Sequence, residues 1–153
     1  MDTGTIGEYY TLCELWRNGY NAISSDSPRQ NGWDILILND NSSEILFKLQ
    51  VKCVNWEVPI GTNRTIRGDF DGDYDYLVVV IINKSKDKYQ LFFIPKSDIR
   101  IKGIGERNML FDNCGKLLRS QKNISIETLN DEYGENWRLF CRYKDNFPSI
   151  LEK

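Results

Sequence analysis

The chain has 153 residues, 41% of them hydrophobic and 12% aromatic, which fits one folded domain with a sizeable core and excludes a disordered chain. The formal net charge is −2, so bulk electrostatics do not mark a nucleic-acid binder. No apolar run approaches the ~18 residues of a membrane span, so no membrane partner is expected.

Charge is unevenly spread. Residues 1–83 hold 6 basic and 12 acidic side chains, and residues 84–153 hold 14 basic and 10 acidic ones. That asymmetry is compatible with an acidic site in the first half and a basic surface in the second. The start, Met1-Asp2-Thr3-Gly4, has no basic n-region and no apolar h-region, which argues against a secretory signal and for a cytoplasmic protein. Cys13, Cys53, Cys114 and Cys141 are widely spaced without a C-x-x-C pair, as expected of buried, reduced thiols in that compartment.

Thr3 or Thr5 can cap a helix running to about Asn18, with Gly19 placed to end it. Helical periodicity puts Leu12, Leu15 and Trp16 on one side, with Tyr9 and Cys13 at its margin. Glu8 precedes Leu12 by one turn and so shares the apolar side. A carboxylate buried there needs a partner or a metal. A first-turn Glu pointing to water is instead favoured by the helix dipole.

Tyr20 to Ser24 reads as a short strand, and residues 25–32 as a loop rich in turn formers. Two apolar runs then flank Asn39-Asp40-Asn41-Ser42-Ser43, which predicts a β-hairpin. Asp34 opens the first strand, while Gln50 and Lys52 lie near the end of the second on a common face. Antiparallel pairing brings the three together, so a carboxylate, an amide oxygen and an ammonium converge on one patch.

Pro59, Gly61 and Gly68 punctuate the following long loop, which carries Arg64 and Arg67. Its run Asp69 to Asp75 looks superficially like a calcium loop. The sixth and twelfth positions are Tyr74 and Val80, where an EF-hand needs Gly and Glu, so the run reads as a solvated acidic turn. Tyr76 to Ile82 is a continuous β-branched run suited to a strand buried on both faces. Tyr89 to Ile94 pairs back on it, and Pro95 can start a short helix through Ile99. Met109 to Phe111 and Asn123 to Ile126 read as short strands, Glu127 to about Tyr143 as a helix weakened by Gly134, and the last ten residues as a tail. The economical arrangement is a single α+β domain over residues 1–153, with a helix packed on a mixed sheet of four or five strands.

The chain resembles the PD-(D/E)xK nuclease superfamily. The resemblance rests on Gly4-Thr5-Ile6-Gly7-Glu8, on Gly32-Trp33-Asp34-Ile35-Leu36 and on Leu49-Gln50-Val51-Lys52. Asp75 to Val80 and Phe93-Ile94-Pro95 also resemble the subgroup of certain group I intron homing endonucleases, which is similar in using Gln where most relatives carry an acid. The resemblance covers about residues 4–100 and leaves the C-terminal third unassigned.

It implies a restriction-endonuclease-like core, a mixed central sheet flanked by helices, and hydrolysis of DNA phosphodiester bonds with Mg2+ or Mn2+. By this resemblance Asp34 is the main metal ligand, Gln50 offers its side-chain oxygen and Val51 its backbone carbonyl. Glu8 binds metal directly or through water, and Lys52 orients the attacking water and stabilises phosphorane charge. A hard cation with oxygen ligands and a nearby ammonium suits that chemistry. Gln50 leaves the site one carboxylate short of the commoner pattern, which implies weaker metal binding and greater dependence on Glu8. Arg29, Arg64, Arg67, Lys96, Arg100 and Lys102 are candidate phosphate contacts. Cutting two strands with one-strand sites implies a homo-oligomer. The alternatives are an RNA-directed nuclease or toxin domain, a nucleic-acid-binding module of the same fold without useful metal binding, and an interaction protein with no nucleic-acid partner.

Overall fold

The computed structural model describes residues 3–25, 32–55, 65–66, 72–83, 88–101, 108–111, 117–119, 124–125 and 141–149. Helix α1 (Thr3–Arg17) ends as expected. Gly19 adopts φ +84°, the left-handed conformation that glycine takes without a Cβ penalty. Gly19 N–H donates to the Trp16 carbonyl at 3.1 Å and Tyr20 N–H to the Leu15 carbonyl at 2.9 Å, which closes a Schellman cap.

The main sheet has five strands in the order β1-β2-β3-β5-β6. They are β1 (Asn21–Ser24), β2 (Ile35–Leu38), β3 (Ile45–Asn55), β5 (Tyr76–Asn83) and β6 (Lys88–Pro95). The β3–β5 pair is parallel and every other pair in this sheet is antiparallel. The expected mixed α+β sheet is therefore present, with both hairpins in place.

Two smaller groups follow. Strand β4 (Thr65–Ile66) pairs with β10 (Ile124–Ser125). Strands β7 (Ile99–Ile101), β8 (Asn108–Phe111) and β9 (Leu117–Arg119) form a three-stranded antiparallel sheet. After Pro95 the chain makes a 3-10 turn, Lys96–Asp98. The helix expected from Glu127 lies outside the described residues, except that Cys141–Tyr143 forms a 3-10 turn.

The continuous apolar run of β5 has the predicted cause. Val78, Val80 and Ile82 share a core with Leu12 and Leu15 of α1, Ile35, Ile37, Leu49, Val51 and Phe93. Leu77, Val79 and Ile81 are also buried, so β5 is covered on both faces. Helix α1 comes close to β3 because Gly7 has no side chain: a Cβ there would stand 2.5 Å from Cys53 Cβ.

Three expectations fail. The described cysteines are not buried thiols: Cys13 is exposed, at the margin of the apolar side of α1, and Cys53 and Cys141 are half-buried. Trp16 does not join the core; it is 58% exposed, and its Nε1 donates to the Ala22 carbonyl at 2.9 Å. An indole N–H needs a partner, and the edge strand β1 offers one, so the ring shields that edge. The C-terminal residues are also no loose tail. Asp145 N–H donates to the Leu91 carbonyl at 2.9 Å, Asn146 Nδ2 to the Phe93 carbonyl at 3.1 Å, and Tyr20 Oη to the Pro148 carbonyl. Phe147 packs on the rings of Phe93 and Tyr20 at 4.6 and 5.8 Å. One aromatic and a few polar side chains suffice to dock a segment whose periodicity carries no strand or helix signal.

Two phenols report on these contacts. Tyr89 stacks on Tyr10 at 4.1 Å and donates to Glu14 Oε1; burial first, then that carboxylate, pushes it up to about 12. Tyr143 is pushed up to about 12 by burial, with Asp98 adding to the shift and the Arg142 hydrogen bond opposing it. Unfolded tyrosines ionise near pH 10, so from pH 10 to 12 the unfolded chain binds fewer protons and stability falls. The stabilisation is whole below pH 10 and lost by about pH 12. Urea midpoints measured across that window are expected to drop, and ultraviolet titration of Tyr89→Phe and Tyr143→Phe should each lack one late-ionising phenol. Gly7→Ala is expected to destabilise: the helix gains about 1 kcal/mol of propensity, but overpacking against a Cβ that cannot swing away costs about 1–3 kcal/mol. A lowered denaturation midpoint checks it.

Candidate metal and phosphodiester site

Strand β2 pairs with β3 from Leu38 back to Ile35, whose partner is Leu49. Beyond Leu49, β3 runs on to Asn55 beside β5 alone within this sheet. Asp34 sits at the point of separation. Its N–H donates to the Leu49 carbonyl at 2.7 Å, and its carbonyl accepts from Ser25 N–H at 2.8 Å. The backbone is thereby held from both sides, by β3 and by the end of β1.

The Asp34 side chain then takes over where β2 stops. Its Oδ2 accepts from Val51 N–H at 2.8 Å, satisfying a donor on the free edge of β3. One carboxylate oxygen is fixed by the backbone and the other, Oδ1, is directed by it. Gln50, the next residue along β3 from Leu49, is half-buried. Its Oε1 is buried and has no hydrogen-bond partner among the described residues. An unsatisfied buried acceptor costs about 1–3 kcal/mol, so this oxygen is one that a cation or water would satisfy. Lys52 is half-buried on the same face of β3 as Gln50, beside Val79 of β5. The register thus puts Gln50 and Lys52 on one face of β3 and Asp34 at its edge, bonded to Leu49 and Val51.

The donor set fits a hard divalent cation. It offers a carboxylate oxygen and an amide oxygen, with room in the ion's preferences for waters and a backbone carbonyl such as that of Val51. It is thin in carboxylates: among the described residues no group of three or more His, Cys, Asp or Glu could hold a metal.

Glu8 is half-buried on α1 and interacts with other groups of the protein. Its neighbour Gly7 abuts Cys53, on the β3 face opposite Gln50 and Lys52. Any route from Glu8 to Asp34 therefore passes around the free edge of β3. Arg29, Arg64, Arg67 and Lys102 lie outside the described residues, and of Arg100 only the backbone, in β7, is described.

Lys96 is fully visible. Its ammonium donates to the Gly72 carbonyl and sits 4.8 Å from the centre of the Tyr74 ring. The acidic turn it touches is stitched to β3 as well. Lys48 Nζ pairs with Asp73 at 2.7 Å, Lys48 N–H donates to Asp75 Oδ2 at 2.8 Å, and Asp75 N–H donates to the Lys48 carbonyl at 2.7 Å. The hydrogen bond and charge of Lys48, with a lesser push from Lys96, hold the Asp73 carboxyl below its usual range. Asp73 and Asp75 are exposed, as a solvated acidic turn requires; the pairing with Lys48 on β3 is an addition to that reading.

One solved structure similar to the chain is that of a bacterial homing endonuclease, I-Ssp6803I, with a TM-score of 0.46 and 16% sequence identity. The match covers 62% of this chain and 64% of that one, so the chain spans less than two thirds of its neighbour's length. No family model and no curated protein matches the sequence.

The orphaned Gln50 oxygen has a consequence for stability. Gln50→Leu removes an unsatisfied acceptor at similar volume and is expected to raise stability by about 1 kcal/mol in the presence of chelator. Thermal denaturation with EDTA checks it. An unchanged or lowered midpoint would mean that the wild-type oxygen is satisfied by water alone.

Proposed function

We propose that the chain is a metal-dependent endonuclease that hydrolyses DNA phosphodiester bonds, of the PD-(D/E)xK type. The observations that support the reading are a buried Gln50 Oε1 without a partner among the described residues and, on the neighbouring residue of β3, the Val51 N–H that holds the Asp34 carboxylate. Unsatisfied buried oxygen is tolerated where function needs it.

Asp34 and Gln50 would hold Mg2+ or Mn2+, with the Val51 carbonyl and Glu8 as further ligands. When bound, the ion lowers the pKa of water and offsets charge on the phosphate. Asp34 contributes the one full negative charge that its backbone bonds pre-orient. Lys52 offers an ammonium on the face of Gln50, which orients the attacking water and stabilises the phosphorane. Since this site cuts one strand, cleavage of a duplex would use a homo-oligomer. The cytoplasm is the compartment in which such an enzyme and its four cysteines fit.

A second reading has its own observation. The scarcity of carboxylates among the described residues suits a nucleic-acid-binding module of the same fold that binds no metal. RNA is the alternative substrate for the same chemistry.

Nicking of supercoiled plasmid separates these. Wild type is expected to nick with Mg2+ or Mn2+ and not with chelator, and Asp34→Ala and Lys52→Ala should each lose about 10²-fold or more. No nicking, together with a gel shift unchanged by Asp34→Ala, would favour the binding module. Cleavage confined to RNA would redirect the substrate.

A further inference from the structure

The segment that delivers Asp34 to the site is not held by β1 and β3 alone. Two residues before Asp34, Gly32 adopts φ +87° and lies flat against the turn that begins at Gly72. A Cβ on Gly32 would fall 2.3 Å from Asp73 N, and one on Gly72 would fall 2.6 Å from Gly32 Cα. Backbone meets backbone here, with no side chain able to give way. Gly32 needs to be glycine for its φ and for the space.

The Gly72–Asp75 turn is in turn secured at both ends. On the β3 side are the Lys48 bonds to Asp73 and Asp75. On the β6 side, Lys96 N–H donates to the Asp75 carbonyl at 2.9 Å, and the Lys96 ammonium holds the Gly72 carbonyl and faces the Tyr74 ring. Tyr74 is itself buried at 3% exposure. Lys48 lies two residues before Gln50 on β3, so one turn is tied to the Gln50 strand and pressed against the Asp34 segment. It fixes the two relative to one another. Glycine alone sets no position; a charged tether to a Gly72 carbonyl does.

We propose that Lys96 is a positioning residue for Asp34, acting through the Gly72–Asp75 turn, and not a phosphate contact. The ammonium holds Gly72; Gly72 supports Gly32; Gly32 sets the approach of Asp34 to Val51 N–H. Its effect on cation binding rests on the metal-site reading above, whereas its effect on Asp34 geometry does not.

The test compares wild type, Lys96→Met and Lys96→Arg in the full chain, after circular dichroism shows each folded. Methionine keeps the length and loses the charge; arginine keeps a donor and a cation for the Tyr74 ring. Amide exchange is read at Asp34 and Val51, whose N–H groups report the two Asp34 bonds. Lys96→Met is expected to raise exchange at both by about 10-fold, the size of one lost hydrogen bond, and Lys96→Arg to restore much of the protection. Titration with Mn2+ should show about 10-fold weaker binding in Lys96→Met. The salt dependence of plasmid binding should be unchanged.

Unchanged amide exchange in Lys96→Met overturns the proposal. So does a salt slope reduced by about 1 with exchange intact, which is the signature of a lost phosphate contact. If wild type and Asp34→Ala bind Mn2+ alike, the metal-site reading fails. The exchange measurement then still decides the role of Lys96.

Discussion

The structure turns on the point where β2 parts from β3. Up to Leu49 the two strands satisfy each other's backbone groups. One residue later that partnership ends, and the chain faces a free edge with donors to satisfy. A carboxylate at the first position outside β2 solves this locally, because Asp34 can reach Val51 N–H while its own N–H still bonds Leu49. The solution has a by-product. A carboxylate that caps a strand edge with one oxygen keeps the other for a further partner, and Gln50 is the β3 residue between the two that Asp34 bonds. Ending one strand early thus leaves a carboxylate at the edge of β3, next to the stretch that carries Gln50.

Neighbouring elements hold this part of β3 in place. β5 runs parallel to β3 and is buried on both faces, so β3 is anchored along Leu49 to Asn55 without any help from β2. Helix α1 presses on the opposite face through Gly7 and Cys53. The glycine-on-glycine contact at Gly32 and Gly72 fixes the path of the segment that leads to Asp34. Gln50 departs from this pattern, since its half-buried side chain carries an oxygen that is unsatisfied among the described residues.

How much of this was legible follows from the range of the interactions. Strands announced themselves where burial on both faces demands an unbroken β-branched run, as in Tyr76 to Ile82. The hairpin around Asn39 to Ser43, and with it the Asp34–Gln50 proximity, followed from period and turn residues. Gly19 ended its helix because left-handed backbone needs glycine. Trp16 misled because helical periodicity cannot distinguish a core side chain from one whose N–H closes a neighbouring strand edge. The C-terminal docking was invisible for a related reason: Asp145, Asn146 and Phe147 act singly on distant backbone, and isolated contacts leave no period.

Lys96 shows where charge in a sequence stops being informative. A lysine after a strand, in the basic half of the chain, has every attribute of a phosphate contact. Its partners, a backbone carbonyl and an aromatic face, carry no formal charge and so leave no complementary mark in the sequence. The acidic turn it braces is solvated as expected, yet its partner Lys48, 25 residues away on a strand, left no local mark either. Lysines that bond groups of their own chain reduce the charge left over for a nucleic acid. A basic count therefore sets only an upper bound on a binding surface, and the lysines to subtract first are those that hold loops beside the site.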